Sequence, residues 1–364
     1  METLSRRALN RATLERQLLL RRVKMSAYDA VEQLAGLQAQ APFPPYYALW
    51  SRLHGFQPAE LAALLEERRV VRIALMRGTV HLVTAADALA WRPVVQVLYD
   101  RDLKTNTQHA GALAGLDHDL VASSARELLA ASPLSSTELG ASLARRWAVP
   151  AASLTHLARG RLPLVQTPPR AIWGKAGQTT YACLDSWVGS PLSTPSPSSL
   201  IARYLRAFGP ATVADVQAWA GITRLGEVAS SMDLRRYRDP DGRELIDLPE
   251  LTLPAEDVPA PPRLLGPFDQ MILSYADRTR VISDEYRKRV ITQNGLVKGT
   301  LLVGGLVRGF WELRKERKAA VVELSPFEKL AKRDVAALES EAGRLLSWAE
   351  PAAETREVRV LAAA

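Results

Sequence analysis

Two glutamines separated by one residue, Gln38 and Gln40, are the pair whose types and spacing offer the clearest chemistry. A side-chain amide is neither acid nor base at physiological pH. Its carbonyl can nevertheless accept a hydrogen from water, and its dipole can face charge that develops in a transition state. On a continuing helix the two would diverge by about 200°, whereas in an extended segment residues two apart share one side. The run Gly36-Leu37-Gln38-Ala39-Gln40-Ala41-Pro42 ends in a proline that disfavours helical geometry at Ala41, so both amides share one cavity if the chain unwinds at Gly36 or Leu37. A polar turn facing water is the competing reading.

Downstream, Val70 to Thr84 reads as two strands around Arg77-Gly78, and Arg72, Arg77, Thr79 and His81 are its candidate contacts to phosphate or to a nucleic-acid strand. For each of the four, a structural role is an equal alternative. His81, between Val80 and Leu82, also suits a buried partner. Two further turns, Asn294-Gly295 and Gly304-Gly305, are candidate hairpin tips that probe a groove, with Asn294 in one of them and Lys298 and Arg308 nearby for phosphate.

The elements that must position these groups repeat. Ser26-x-x-Asp29, Ser135-x-x-Glu138 and Thr212-x-x-Asp215 are three capping boxes or close variants, each opening a short helix. Each helix is followed by a second helical stretch (58–67, 151–159, 225–232) and then by two strand runs around a turn: 70–84, 164–182 and 235–248. Three helix-turn-helix-plus-hairpin units suggest tandem winged-helix modules. Proline-rich stretches at 190–197 and 254–262 read as linkers. Beyond Pro262, runs from Arg289 to Leu324 favour a small antiparallel sheet or barrel, closed by a helix over 326–348. Residues 3–24 read as an amphipathic helix whose arginines could lie along a phosphate backbone or be solvated. The expected class is α+β. Its segments are 1–117 with the glutamine pair, 118–190, 198–253, and a β-rich C-terminal domain over 263–364.

Composition narrows the function. The 364 residues carry 47 Lys+Arg against 39 Asp+Glu, a net charge of +8, and 38 of the basic residues are arginine, suited to bidentate phosphate contact. One cysteine cannot form an intramolecular disulfide, and the five histidines (54, 81, 109, 118, 156) are scattered, so no metal site is expected. No phosphate-cradling glycine loop appears, so no cofactor is expected either. No apolar run is long enough for a signal peptide or membrane span, which gives a cytoplasmic, membrane-free expectation.

Taken in order, Gly36-Leu37-Gln38-Ala39-Gln40, Arg77-Gly78-Thr79-Val80-His81-Leu82-Val83, 205–212 (LRAFGPAT), 265–269 (LGPFD) and 305–311 (GLVRGFW) resemble the AlkZ-type DNA glycosylases, relatives of the YcaQ-type enzymes in a helix-turn-helix superfamily. The resemblance runs through nearly the whole chain. It implies three winged helices curved around duplex DNA and a β-rich C-terminal domain. It also implies a catalytic Gln-apolar-Gln signature, filled here by Gln38-Ala39-Gln40, where the YcaQ branch has Asp at the last place. Ala39 is smaller than the usual aliphatic residue. The implied activity is excision of N7-alkylated purines, and in antibiotic producers the unhooking of bulky adducts or interstrand crosslinks as self-resistance. Gln40 would orient the water and Gln38 would give a supporting contact. The expected partner is double-stranded DNA carrying alkylated purines, bound by a monomer.

Neutral amides suit that substrate. Hydrolysis of a glycosidic bond ordinarily calls on a carboxylate. An N7-alkylated guanine is already cationic and leaves as a neutral base, so positioning and oriented dipoles supply most of what remains. A winged-helix transcriptional regulator without catalysis is the alternative from fold alone.

Overall fold

In the computed structural model, which describes residues 1–363, the chain is a mixed α+β structure with three sheets. Its helices begin where the sequence places their caps. Ser26, Ser135 and Thr212 each accept from the backbone N–H three residues on, and Glu138 and Asp215 return the bond to Ser135 and Thr212. Ala27–Gln33, Ser136–Ala144 and Val213–Ala220 follow.

Each unit then adds a helix (Pro58–Glu66, Ala151–Arg161, Leu225–Ser230) and a hairpin. The hairpins are Val70–Ala74 with Val80–Thr84, Leu164–Gln166 with Thr180–Cys183, and Arg235–Arg238 with Glu244–Asp247. The first unit also holds Pro44–Arg52, a helix opened by two prolines that the sequence reading did not anticipate.

The first two hairpins do not stand apart. Arg72 pairs with Gln166 and Ile73 with Val165, so they fuse into one six-stranded sheet. Its order is 37–38, 80–84, 70–74, 164–166, 180–183, 134–135, which leaves the short strand Leu37–Gln38 on an edge. Val71, Ile73 and Trp91 share one apolar core with Leu200, Tyr204, Phe208 and Trp219 of the third unit. Leu49, Trp50 and Leu82 share another with Trp311, Leu338 and Leu345 near the C-terminus. The first unit is therefore clamped between the third unit and the C-terminal region.

Three expectations need correction. The N-terminal helix is only Arg6–Arg16, because Leu18 turns left-handed (φ 58°). Two of its arginines turn inward: Arg16 is buried on Asp247 through two 2.7 Å bonds, and Arg11 donates to Val258 O at 2.7 Å. Arg289 and Val290 end a helix, Asp284–Val290, instead of opening a strand. The C-terminal sheet is open: Arg263–Leu265, Gly299–Val303, Leu306–Glu316, Ala319–Pro326 and Thr355–Val360 lie in that order, the last pair parallel and unforeseen, with no closure into a barrel. The terminal helix, Lys332–Ala349, packs beside it.

Candidate active site

The first helix of the first unit stops at Gln33, and Ala35 and Gly36 then take left-handed backbone (φ 54° and 81°) that turns the chain onto the sheet edge. At Gly36 any side chain would strike Val83, so backbone angle and space both require glycine. Leu37 pairs with Leu82 and Gln38 with His81. Strand alternation buries Leu37 and Ala39 and turns Gln38, half-buried, and Gln40, exposed, toward the other side. The unwinding that places both amides together is therefore present, set by Ala35-Gly36.

Both amides have defined orientations. Gln38 Oε1 accepts from Arg77 Nη2 at 2.8 Å, and Gln40 Oε1 accepts from the Val80 N–H at 3.1 Å. Arginine and a backbone N–H can only donate, so in each amide the oxygen must be the bonded atom and the NH2 must lie on the other side. Gln40 thereby extends the ladder one step past the strand, beside the Ala39 N–H to Val80 O bond of 2.8 Å. One lone pair on each oxygen and the outward NH2 groups are left to act on what approaches.

Behind them, Arg72 is 1% exposed and donates from Nη2 to Ala39 O at 2.7 Å, while its Nε and Nη1 are buried with no partner among the described residues. Burial and the like charge of Arg170 pull its pKa down to about 10. It braces the glutamine segment from within the protein. His81 takes the buried alternative: it is 3% exposed, and its Nδ1 lies 2.9 Å from Thr79 O. That carbonyl makes Nδ1 the protonated nitrogen, so Nε2 turns a lone pair toward Arg77 Nη2 at 3.5 Å. Burial and the Arg77 charge push the His81 pKa down to about 3, so the ring is neutral in the working pH range.

Arg77 spends its guanidinium inside the protein, on Gln38 and, at 2.5 Å, on Trp219 O. Burial, then Arg278, lowers its pKa to about 10. Thr79 Oγ1 donates to Met76 O at 3.1 Å. No carboxylate bonds to Gln38, Gln40, Arg77 or His81 among the described residues.

The two candidate tips differ. At Gly304-Gly305 the carbonyls accept from Arg11 Nη1 at 3.2 Å and Asn10 Nδ2 at 2.9 Å, so that turn is docked on the N-terminal helix and does not probe a groove. Asn294 and Gly295 are exposed, and Leu296 beside them is 57% exposed. Ala41, next after Gln40, packs against the cluster holding Val290 and Val297 at the base of this turn. Lys298 lies 3.7 Å over the Phe310 ring and 3.6 Å from Glu312, and Arg308 pairs with Glu328 at 2.9 Å.

Sequence reasoning missed Trp219, whose carbonyl bonds Arg77 from 142 residues away, and no local signal marks it. Among the described residues no group of three or more His, Cys, Asp or Glu could hold a metal ion, and no helix is long and apolar enough to cross a membrane.

The edge strand thus presents two oriented amides, braced by arginines and hydrogen-bonded to no carboxylate among the described residues. A family model described as DNA glycosylase AlkZ-like matches residues 31–348. The chain belongs to the AlkZ-like DNA glycosylase family and is a DNA glycosylase, which decides against the regulator. It is 24% identical to the interstrand DNA cross-link repair glycosylase of Streptomyces sahachiroi, with 91% of this chain and 93% of that protein covered. The solved structure of Streptomyces sahachiroi DNA glycosylase AlkZ superposes with a TM-score of 0.80 at 22% identity, over 99% of this chain and 100% of that one.

Proposed function

We propose that this glycosylase hydrolyses the N-glycosidic bond of cationic N7-alkylated purines in duplex DNA, with Gln38 and Gln40 as the catalytic residues. The observation that carries the reading is the pair of outward, oxygen-anchored amides at a site without a carboxylate. Such a site supplies neither a strong base nor a proton, so it suits a leaving group that arrives already charged and departs neutral. Gln40, the more exposed, orients the water, and Gln38 supports the water or the sugar of the lesion strand.

The helix-helix-hairpin units within 1–117, 118–190 and 198–253 act as winged-helix modules that grip the duplex backbone as a monomer, with 263–364 as a β-rich domain. The Asn294 turn, with exposed Leu296, enters the minor groove, because an apolar side chain at a tip can wedge a base step. Lys298 and Arg308 flank it as phosphate contacts once DNA competes for their carboxylates. Because the amides sit at an open edge, cargo can project from the major groove. Bulky adducts and interstrand crosslinks are thus proposed substrates, as the name of the Streptomyces relative also suggests, and self-resistance in an antibiotic producer is the matching role.

The test is a duplex with one 7-methylguanine, incubated with enzyme and heated in alkali. Strand breakage at that site is expected, with little at a uracil in the same position. Equal release of both bases overturns the account.

A further inference from the structure

Arg77 sits where a glycine would be expected. Its backbone is left-handed (φ 56°, ψ 15°), followed by Gly78 in the same region (φ 69°). What holds it there comes from another unit. Gly221, at the left-handed C-cap of Val213–Ala220, lies so close that a Cβ would fall 2.8 Å from Arg77 Cα, and Trp219 O at the end of that helix accepts from Nη1. The carbonyl end of a helix is the negative end of its dipole, so it suits a guanidinium with no carboxylate partner. Nη2, on the same planar group, meets Gln38 Oε1 and faces His81 Nε2. His81 can offer that lone pair because its other nitrogen donates to Thr79 O.

We infer that Arg77 is the positioning residue of Gln38, set by the third unit. Its fork, fixed on Trp219 O, holds the amide oxygen inward and the NH2 toward the DNA, so the site is complete only while residues 213–221 are docked against the Arg77 turn. A charge-assisted bond to the oxygen also polarises the amide and strengthens its outward N–H donors. A lysine has one ammonium and cannot reproduce the planar fork. The inference rests on Gln38 acting in catalysis.

The experiment is a double-mutant cycle on 7-methylguanine excision under single-turnover conditions, with Kd for the same duplex measured beside it. Arg77→Ala is expected to slow excision about 10²-fold, the scale for losing one preorganised dipole, with Kd changed less than about threefold. Arg77→Ala combined with Gln38→Ala is expected to be no slower than Gln38→Ala alone. Methylguanidinium should restore part of the rate to Arg77→Ala and none to Gln38→Ala. Additive losses, or a loss of DNA affinity in step with rate, overturn the inference.

If Arg77→Ala fails to fold, Arg77→Lys carries the same expectations without chemical rescue. A wild-type protein inactive on every cationic lesion would sink the proposed function instead. The clamp would still be read from the Gln38 side-chain NH2 resonances, which should shift and sharpen in Arg77→Lys. Unchanged resonances overturn it.

Discussion

Two pairs of arginines, all buried but the half-buried Arg77, differ in what they face. Arg16 and Arg52 each grip an aspartate with both nitrogens, Arg16 on Asp247 at 2.7 Å twice and Arg52 on Asp269 at 2.7 and 2.9 Å. These pairs tie the N-terminal helix to the third hairpin and the helix Pro44–Arg52 to the C-terminal region. Arg72 and Arg77, which brace the glutamine segment, meet only neutral acceptors: Ala39 O, Gln38 Oε1 and Trp219 O. The framework neutralises its charges, whereas the site keeps two cations and admits no anion. Desolvating a charge without a counter-ion is costly, so the second arrangement is not what stability alone would select. Arg77 and the Val80 N–H anchor the two amides by their oxygens and leave each oxygen a lone pair that can accept from water.

That contrast can be broken in four ways. Asp269→Ala leaves Arg52 buried at 0% exposure without its partner and should cost roughly 3–5 kcal/mol in denaturant unfolding. A cost below about 1 kcal/mol would show that the framework pair is not needed. Gln40→Ala removes an exposed group asked to act in the transition state. Excision should fall about 10²–10³-fold, with duplex affinity and stability nearly unchanged. Parallel loss of binding contradicts its role.

The third concerns pH. His81 has its pKa pushed to about 3 by burial and Arg77, against 6.5 for the free side chain. Between those values the unfolded chain holds the extra proton, so its contribution to stability falls as pH drops through that window, by up to about 1.4 kcal/mol per unit. His81→Asn, which keeps a donor for Thr79 O, should flatten the slope of unfolding free energy between pH 4 and 6.5. Asp277 acts only below that range: burial raises its pKa, but hydrogen bonds from Thr279 and Arg243 hold it down to about 2. An identical slope in the variant would place the titration elsewhere. The smallest effect is expected for Arg72→Met, because the lost Ala39 bond is offset by removal of an uncompensated buried charge. Stability should change by less than about 1 kcal/mol while excision slows. A loss as large as that of Asp269→Ala would erase the distinction between the two sets.

Much of the scaffold was legible. The Ser135 and Thr212 boxes start their helices as read, because a cap and its partner lie three residues apart. Gln38 and Gln40 were singled out by spacing and by likeness to a family. Less legible were the partners. For Arg72, Arg77 and His81 the sequence left a nucleic-acid contact and a structural role both open, because a charged or polar residue in a hairpin carries no local sign of what will pack over it. The Asp284–Val290 helix is mostly charged residues and ends inside the Arg289-Val-Ile-Thr run that reads as a strand; Ser283, accepting from the Tyr286 N–H, starts it.

The sequence alone determined what depends on near neighbours: helix starts, turns at Asn294-Gly295 and Gly304-Gly305, and the exit at Gly36 that sets both amides on one edge. Only the tertiary structure decided what those amides can do. The orientation of Gln38 depends on an arginine 39 residues away, itself fixed by a carbonyl 142 residues further on, and that of Gln40 on the backbone N–H of Val80. A hydrogen bond at that separation exists only after three units have packed, so no local pattern in the chain can announce it.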